Sequence, residues 1–249
     1  MKDKFTPIAH RGGNEVAPEN TLASFKDSYE LGYRWLETDV RISKNKVLYA
    51  FHDDKLDRIL GKSRRLSELN SWDIDELSIE KKYRIPRFEM LANEFSDAIF
   101  NVDAKSFEAG EVLVDLINSK KVNSNLCLAS FHQATIQYMR ENIKRDIESA
   151  FSSNEVIHLL FNKIMQKKVK FEGKFLQIPI KYFGVKVLTK NLIKYCKSQE
   201  IKIHVWTIND EKTMTRLIEL GVDGIMTDKC RILLKALERK ISVRPSQER

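Results

Sequence analysis

Short runs rich in β-branched and aromatic residues alternate with helical periodicity along the whole chain. The runs centre on Ile8-Ala9-His10, Trp35 to Val40, Ile99 to Asp103, Leu126 to Ser130, Ile147 to Phe151, Phe175 to Ile178, Ile203 to Thr207 and Gly224 to Thr227. Between them, 21–31 places Leu22, Phe25 and Tyr29 on one helical stripe ahead of Gly32, and 211–220 places Met214, Leu217 and Ile218 on another ahead of Gly221. Stripes at that spacing bury one helix face, and a following glycine suits the left-handed residue that closes a helix. Strands alternating with helices predict a parallel sheet, and this many units predict an α/β fold of the (β/α)₈ TIM barrel type.

One stretch breaks the alternation. Residues 54–84 are rich in charge and hold only scattered apolar positions (Leu56, Ile59, Leu66, Leu69, Trp72, Leu77), too long a run for an ordinary loop, and so predict a small cap insertion over the site. Just before it, Lys44-Asn45-Lys46 between Ile42 and Val47 predicts a hairpin that returns the chain alongside the second strand. The domain expected is a barrel over 1–238 carrying the insertion 54–84, with a fraying polar tail at 239–249. The length, 249 residues, is that of such a barrel.

Composition narrows the partners. No stretch approaches the ~20 apolar residues of a membrane helix, so no membrane span is expected. Met1 to Phe5 leave no room for the apolar segment of a signal peptide, which predicts a cytoplasmic protein. Cys127, Cys196 and Cys230 are odd in number and lack CxxC spacing, predicting reduced buried thiols. The formal charge of +8 attracts phosphodiesters, anionic lipid surfaces and nucleic acid alike. Its lysines and arginines are interspersed with acids and accompany no nucleic-acid module, so we expect no nucleic-acid partner, a solvated basic surface and at most transient lipid contact. The oligomeric state is not set by the sequence.

Candidate chemistry gathers at strand ends, where the loops of a barrel converge on a substrate. His10 ends the first strand, Asp39 lies late in the second, Asp103 and Lys105 close the third, Ser130 the fourth and Trp206 to Asn209 the seventh. Alternation puts Glu37 and Asp39 on one strand face, as it does Asn101, Asp103 and Lys105. Two adjacent carboxylates inside a barrel repel each other unless a cation or proton lies between them, and hard Mg²⁺ or Ca²⁺ prefers such oxygens. The competing reading, two surface acids on an edge strand, conflicts with the cost of unpartnered carboxylates in a buried strand. His10 and His52 each end an apolar run beside this pair, where imidazoles suit proton transfer. His132, His158 and His204 are read as structural.

The ordered motifs His10-Arg11-Gly12-Gly13, Pro18-Glu19-Asn20-Thr21, Glu37-Thr38-Asp39, His52-Asp53, Asn101-Val102-Asp103-Ala104-Lys105, Ser130-Phe131, Val205 to Asn209 and Gly221 to Asp228 together resemble the glycerophosphodiester phosphodiesterases. The resemblance spans about the whole domain and implies metal-dependent hydrolysis of glycerophosphodiesters to glycerol 3-phosphate and an alcohol. It implies His10 and His52 as general acid and base, and a divalent cation, Mg²⁺ or Ca²⁺, on Glu37, Asp39 and Asp103. Relatives often carry glutamate at the last position, and Asp103 is shorter by a methylene. Arg11, Glu19, Lys105 and Trp206 are the substrate-binding candidates, with Trp206 near the alcohol moiety; Glu19 and Asn20 also suit a helix start, and Trp206 also suits the core. Because His10 adjoins Arg11, we assign the base to His10 and the acid to His52. The alternative reactions are a phospholipase D-like hydrolase or lyase acting on lysophospholipids and, outside catalysis, a phosphate-binding scaffold.

Overall fold

Alternation along the strands sorts side chains into a layer facing helices and a layer facing the barrel axis. The computed structural model describes residues 5–122, 124–165 and 170–242. Its barrel strands are β1 (Thr6–Ala9), β2 (Trp35–Ile42), β3 (Ile99–Ala104), β4 (Asn125–Ala129), β5 (Glu148–Ser149), β6 (Phe175–Ile178), β7 (Lys202–Val205) and β8 (Gly224–Thr227). All pair in parallel in the order β5-β4-β3-β2-β1-β8-β7-β6. A parallel bridge from Ala150 to Phe175 joins the two ends of that order. Helices α1 (Leu22–Glu30), α2 (Phe88–Glu94), α3 (Phe107–Asn118), α4 (Gln133–Asn142), α5 (Ser153–Met165), α6 (Lys190–Ser198), α7 (Glu211–Leu220) and α8 (Cys230–Ser242) follow the successive strands. The expected (β/α)₈ barrel is therefore what forms, with each predicted strand in place.

The helix-facing layer is apolar: Leu36 and Val40 of β2 and Phe100, Val102 and Ala104 of β3 pack with Leu113, Val114 and Ile117 of α3. Phe100 contacts the rings of Phe25, Phe88 and Phe95, tying α1 and α2 to the sheet. The axial layer changes character with height. At the amino-terminal end Trp35, Phe175 and His204 form a ring cluster with centroids 4.8 to 5.4 Å apart. One step up, on the same strand faces, lie Glu37, Asn101 and Gln177, with Asn101 and Gln177 exchanging amide hydrogen bonds. Asp39 and Asp103, paired in register, stand above them. The aromatic plug closes the bottom, so the polar layers open toward the carboxyl ends of the strands.

Local details depart from expectation. The α1 cap is Thr21 rather than Asn20: Thr21 and Ser24 exchange side-chain to backbone bonds in a capping box, while Asn20 takes a left-handed turn. Leu22 of the predicted stripe is exposed, because burial centres on Ser24, Phe25 and Ser28. The predicted hairpin forms: Lys46 supplies the positive φ, and Leu48–Ala50 pairs antiparallel with β2. The insertion packs Leu56, Leu66, Leu69, Ile74 and Ile79 with Tyr49, Phe51 and Ile85 into a separate small core, leaving Trp72 outside it. Residues 239–242 belong to α8; 1–4 and 243–249 lie outside the described residues.

Candidate active site

Two left-handed glycines build the first corner of the site. After β1 the chain turns through Arg11 (φ 51°), Gly12 (φ 77°) and Gly13 (φ 83°). A Cβ on Gly12 would lie 2.7 Å from Ser24 Oγ and 2.9 Å from the Phe25 nitrogen, so only glycine lets this turn press against α1. The turn aims the Arg11 amide at Glu37 Oε2, 2.9 Å away, and the Arg11 guanidinium at Asp39, with Nε 3.2 Å from Oδ2. The Leu48–Ala50 strand builds the second corner: the Phe51 amide donates to the Asp39 carbonyl at 3.0 Å, which carries His52 to the cavity.

His10, Arg11, Glu37, Asp39, His52, Asp103, Lys105 and Trp206 all line one cavity of about 250 Å³ at the carboxyl ends of the strands. Glu19 does not line it. Its carboxylate accepts from Arg11 at 2.9 Å and from Arg58 of the insertion at 2.5 Å, so it stands behind Arg11. The insertion contributes no lining residue and reaches only this margin. Phe131, Phe151, Val156 and Met226 add an apolar wall, with Trp206 edge-on to Phe131 at 5.9 Å.

Each histidine is gripped from behind by an aspartate absent from the predicted set. His10 Nδ1 lies 2.6 Å from Asp228 Oδ1, and Asp228 is held in turn by the Asn209 amide at 2.7 Å. His52 Nδ1 lies 2.7 Å from Asp53 Oδ1, and Arg58 donates to the other Asp53 oxygen at 2.6 Å. The signals were present, since Asp53 adjoins His52 and Asp228 closes a recognised motif; chain distance hid the second pairing. Both rings therefore leave Nε2 for the cavity. Burial alone would lower the His10 pKa, but Glu37, 3.9 Å from Nε2, and the Asp228 bond outweigh it and raise it. For His52 burial prevails, helped by Arg11 and Lys105, and the pKa is lowered.

The carboxylates are unequally compensated. Burial opposes ionisation of Asp39, yet Lys105 and Arg11 beside it hold its pKa below the usual range. Burial raises Glu37, reinforced by the charge of Asp39, and burial also raises Asp103 despite Lys105. The Lys105 ammonium bridges Asp39 Oδ1 at 2.6 Å and Asp103 Oδ2 at 2.5 Å, while Asp103 Oδ1 is buried without a hydrogen-bond partner. Among the described residues no three acid, histidine or cysteine side chains converge as a ready metal cage. The donor chemistry nevertheless fits a hard cation: three buried carboxylates, one with an orphaned oxygen and two whose ionisation burial opposes and a cation would favour, face one cavity. The remaining histidines do not join them; His204 sits in the aromatic plug, and His132 precedes α4.

The profile of the glycerophosphoryl diester phosphodiesterase family matches residues 10–231. The chain belongs to this family. It is 25% identical to probable glycerophosphodiester phosphodiesterase 2 of Mycobacterium tuberculosis over 236 residues, covering 92% of this chain and 89% of that protein. It is 22% identical to lysophospholipase D GDPD1 of Homo sapiens, covering 89% and 82%. Among solved structures it resembles an Oleispira antarctica phosphodiesterase in complex with the product sn-glycerol-3-phosphate, with TM-score 0.77, 21% identity and coverage of 94% and 96%. A family of phosphodiester hydrolases thus accounts for a basic-rimmed, carboxylate-floored cavity at the carboxyl end of this barrel.

Proposed function

We propose that this enzyme hydrolyses glycerophosphodiesters to glycerol 3-phosphate and an alcohol. The observation that carries the reading is the pair of aspartate-gripped imidazoles presented to one cavity with three buried carboxylates, Arg11 and Lys105. Arg11 and Lys105 are the anion-binding groups for the phosphoryl oxygens; the guanidinium is oriented by Glu19, which acts as a positioning residue. Glu37, Asp39 and Asp103 would hold a divalent cation, Mg²⁺ or Ca²⁺, which when bound supplies positive charge to the phosphate. Trp206 and Phe131 form the wall against which the alcohol moiety rests.

The proton transfers follow from the flanking charges. Carboxylates stand at both nitrogens of His10, Asp228 behind and Glu37 in front, so this ring is the better proton store and serves as general acid toward the departing alkoxide. At His52 the charge of Asp53 is shared with Arg58, and the neutral ring serves as general base toward the attacking hydroxyl. That hydroxyl is either of water, which yields glycerol 3-phosphate directly, or of the substrate's own glycerol, which yields a cyclic phosphate that a water then opens to glycerol 3-phosphate. This reverses the division expected from the proximity of His10 to Arg11.

A second reading, phospholipase D-like action on lysophospholipids, is favoured by the apolar wall of Phe131, Phe151, Val156 and Met226 and by the likeness to a lysophospholipase D. Incubation with glycerophosphocholine and with lysophosphatidylcholine, each with and without chelator, tests both. Phosphorus NMR should show glycerol 3-phosphate from the first substrate without chelator. Turnover of the second alone would favour the second reading, and turnover of neither would refute both.

A further inference from the structure

Between β6 and α6 the chain makes a hairpin that no core requires. Lys181–Tyr182 pairs antiparallel with Val185–Lys186, Tyr182 opposite Val185 and Lys181 opposite Lys186, around a two-residue loop of Phe183 and Gly184. The tip is apolar and lies in water: Phe183 is 90% exposed, Val185 68% and Tyr182 55%. The Tyr182 and Phe183 rings meet edge to face at 4.6 Å.

Three features of this hairpin are unfavourable for the free protein. Both loop residues have positive φ, 46° and 80°, the geometry for which tight hairpins favour Asn-Gly. Gly184 fits it, whereas a bulky aromatic residue at 183 is strained there. The exposed rings and Val185 make an apolar patch at one point of the surface. Lys181 and Lys186, also exposed, are directly opposed across the strands, where like charges repel. Asn at 183 would relieve the strain and shrink the patch, and an acid opposite a lysine would remove the repulsion. Aromatic side chains at a tip with lysines flanking them are instead the chemistry of a lipid interface, in which rings settle among headgroups and ammonium groups meet anionic phosphates.

Position gives the hairpin a use. Gln177 of β6 lines the cavity and the hairpin follows the carboxyl end of that strand, so it stands on the face where the cavity opens. Phe131, 59% exposed at the cavity wall, presents apolar surface on the same face. The chain's net charge of +8 favours approach to an anionic surface.

We propose that the Lys181–Lys186 hairpin docks this protein on an anionic bilayer surface, with the open end of the cavity turned toward the headgroups. Docking stands apart from the hydrolytic reading, because vesicle binding is measured without turnover.

The test is co-sedimentation of the full chain with vesicles of phosphatidylcholine alone or mixed with phosphatidylglycerol. The parent should partition onto the mixed vesicles in preference to the neutral ones. Phe183→Asn, which creates the favoured Asn-Gly turn, should weaken that partition by about tenfold, as expected for losing one buried ring. Its thermal midpoint should be equal or higher and its turnover of glycerophosphocholine unchanged. The Lys181→Glu/Lys186→Glu variant should lose the preference for anionic vesicles. A parent that stays in solution, or a Phe183→Asn variant that binds as the parent does, overturns the proposal. Light scattering that finds a dimeric parent and a monomeric Phe183→Asn variant also overturns it, by making the hairpin an interface between copies.

Discussion

Asp228, one residue past β8, holds His10 Nδ1 at 2.6 Å, joining the last strand of the barrel to the first. The bond fixes which ring nitrogen faces the cavity and places a second carboxylate, besides Glu37, against the imidazole. Asp228→Asn keeps the shape and removes the charge. We expect kcat/KM for glycerophosphocholine to fall by about 10–100-fold with KM little changed, as for other groups that orient a reacting side chain. The sign of the pH effect follows from the raised His10 pKa: with His10 as the proposed general acid, activity should decline as pH rises through that value. Loss of the Asp228 charge should move this alkaline limb to lower pH, a shift that a merely structural role would not produce.

Asp103 tests the cation. Its Oδ1 is buried without a partner and its Oδ2 is held by Lys105. Calorimetric titration with Mg²⁺ and Ca²⁺ should find binding in the parent, retained binding and measurable activity in Asp103→Glu, and affinity lower by about 10-fold or more in Asp103→Asn. Glu37→Gln should behave like Asp103→Asn while thermal unfolding stays cooperative. Equal affinity in the parent and Asp103→Asn would place Asp103 outside the ligand set.

His204 carries a prediction about acid stability. Its ring is fully buried against Phe175 and Trp35, and neither nitrogen has a hydrogen-bond partner. Burial lowers its pKa to about 3. An unfolded histidine titrates near 6.5, so the protonated form favours the unfolded chain, and stability is full above that pH and lost as pH falls toward 3. Between pH 7 and pH 5 this one group should remove about 2 kcal/mol. Urea denaturation at the two pH values should show that loss in the parent and a smaller one, by about that amount, in His204→Leu. Equal losses would mean that the ring is not held neutral in the plug.

Much of this arrangement was legible because it rests on alternation, which needs no partner strand to be read. The period of two placed Glu37 with Asp39 and Asn101 with Asp103 and Lys105, and strand ends placed His10 and Trp206 at the opening. What escaped depends on contacts between distant segments. Asp228 meets His10 across 218 positions of sequence. Glu19, a substrate-binding candidate in the sequence, has its carboxylate engaged by Arg11 and Arg58, a contact that adjacency in the chain does not reveal. Asn20 looked like a cap, yet its side chain spans Asp39 and Thr38 while Thr21 caps the helix. The Lys181–Lys186 hairpin has too few residues per strand for any period to show.

Leaving-group dependence decides whether His10 and His52 divide the proton transfers of phosphodiester cleavage. A nitrophenol leaving group needs little protonation on departure, whereas choline or glycerol needs a general acid. The measurement is kcat/KM for His10→Ala and His52→Ala on a nitrophenyl diester and on glycerophosphocholine, with folding and metal binding verified for each variant. His10→Ala should damage glycerophosphocholine turnover by a much larger factor than nitrophenyl turnover, and His52→Ala should damage both alike. Equal factors for both variants on both substrates would contradict that division.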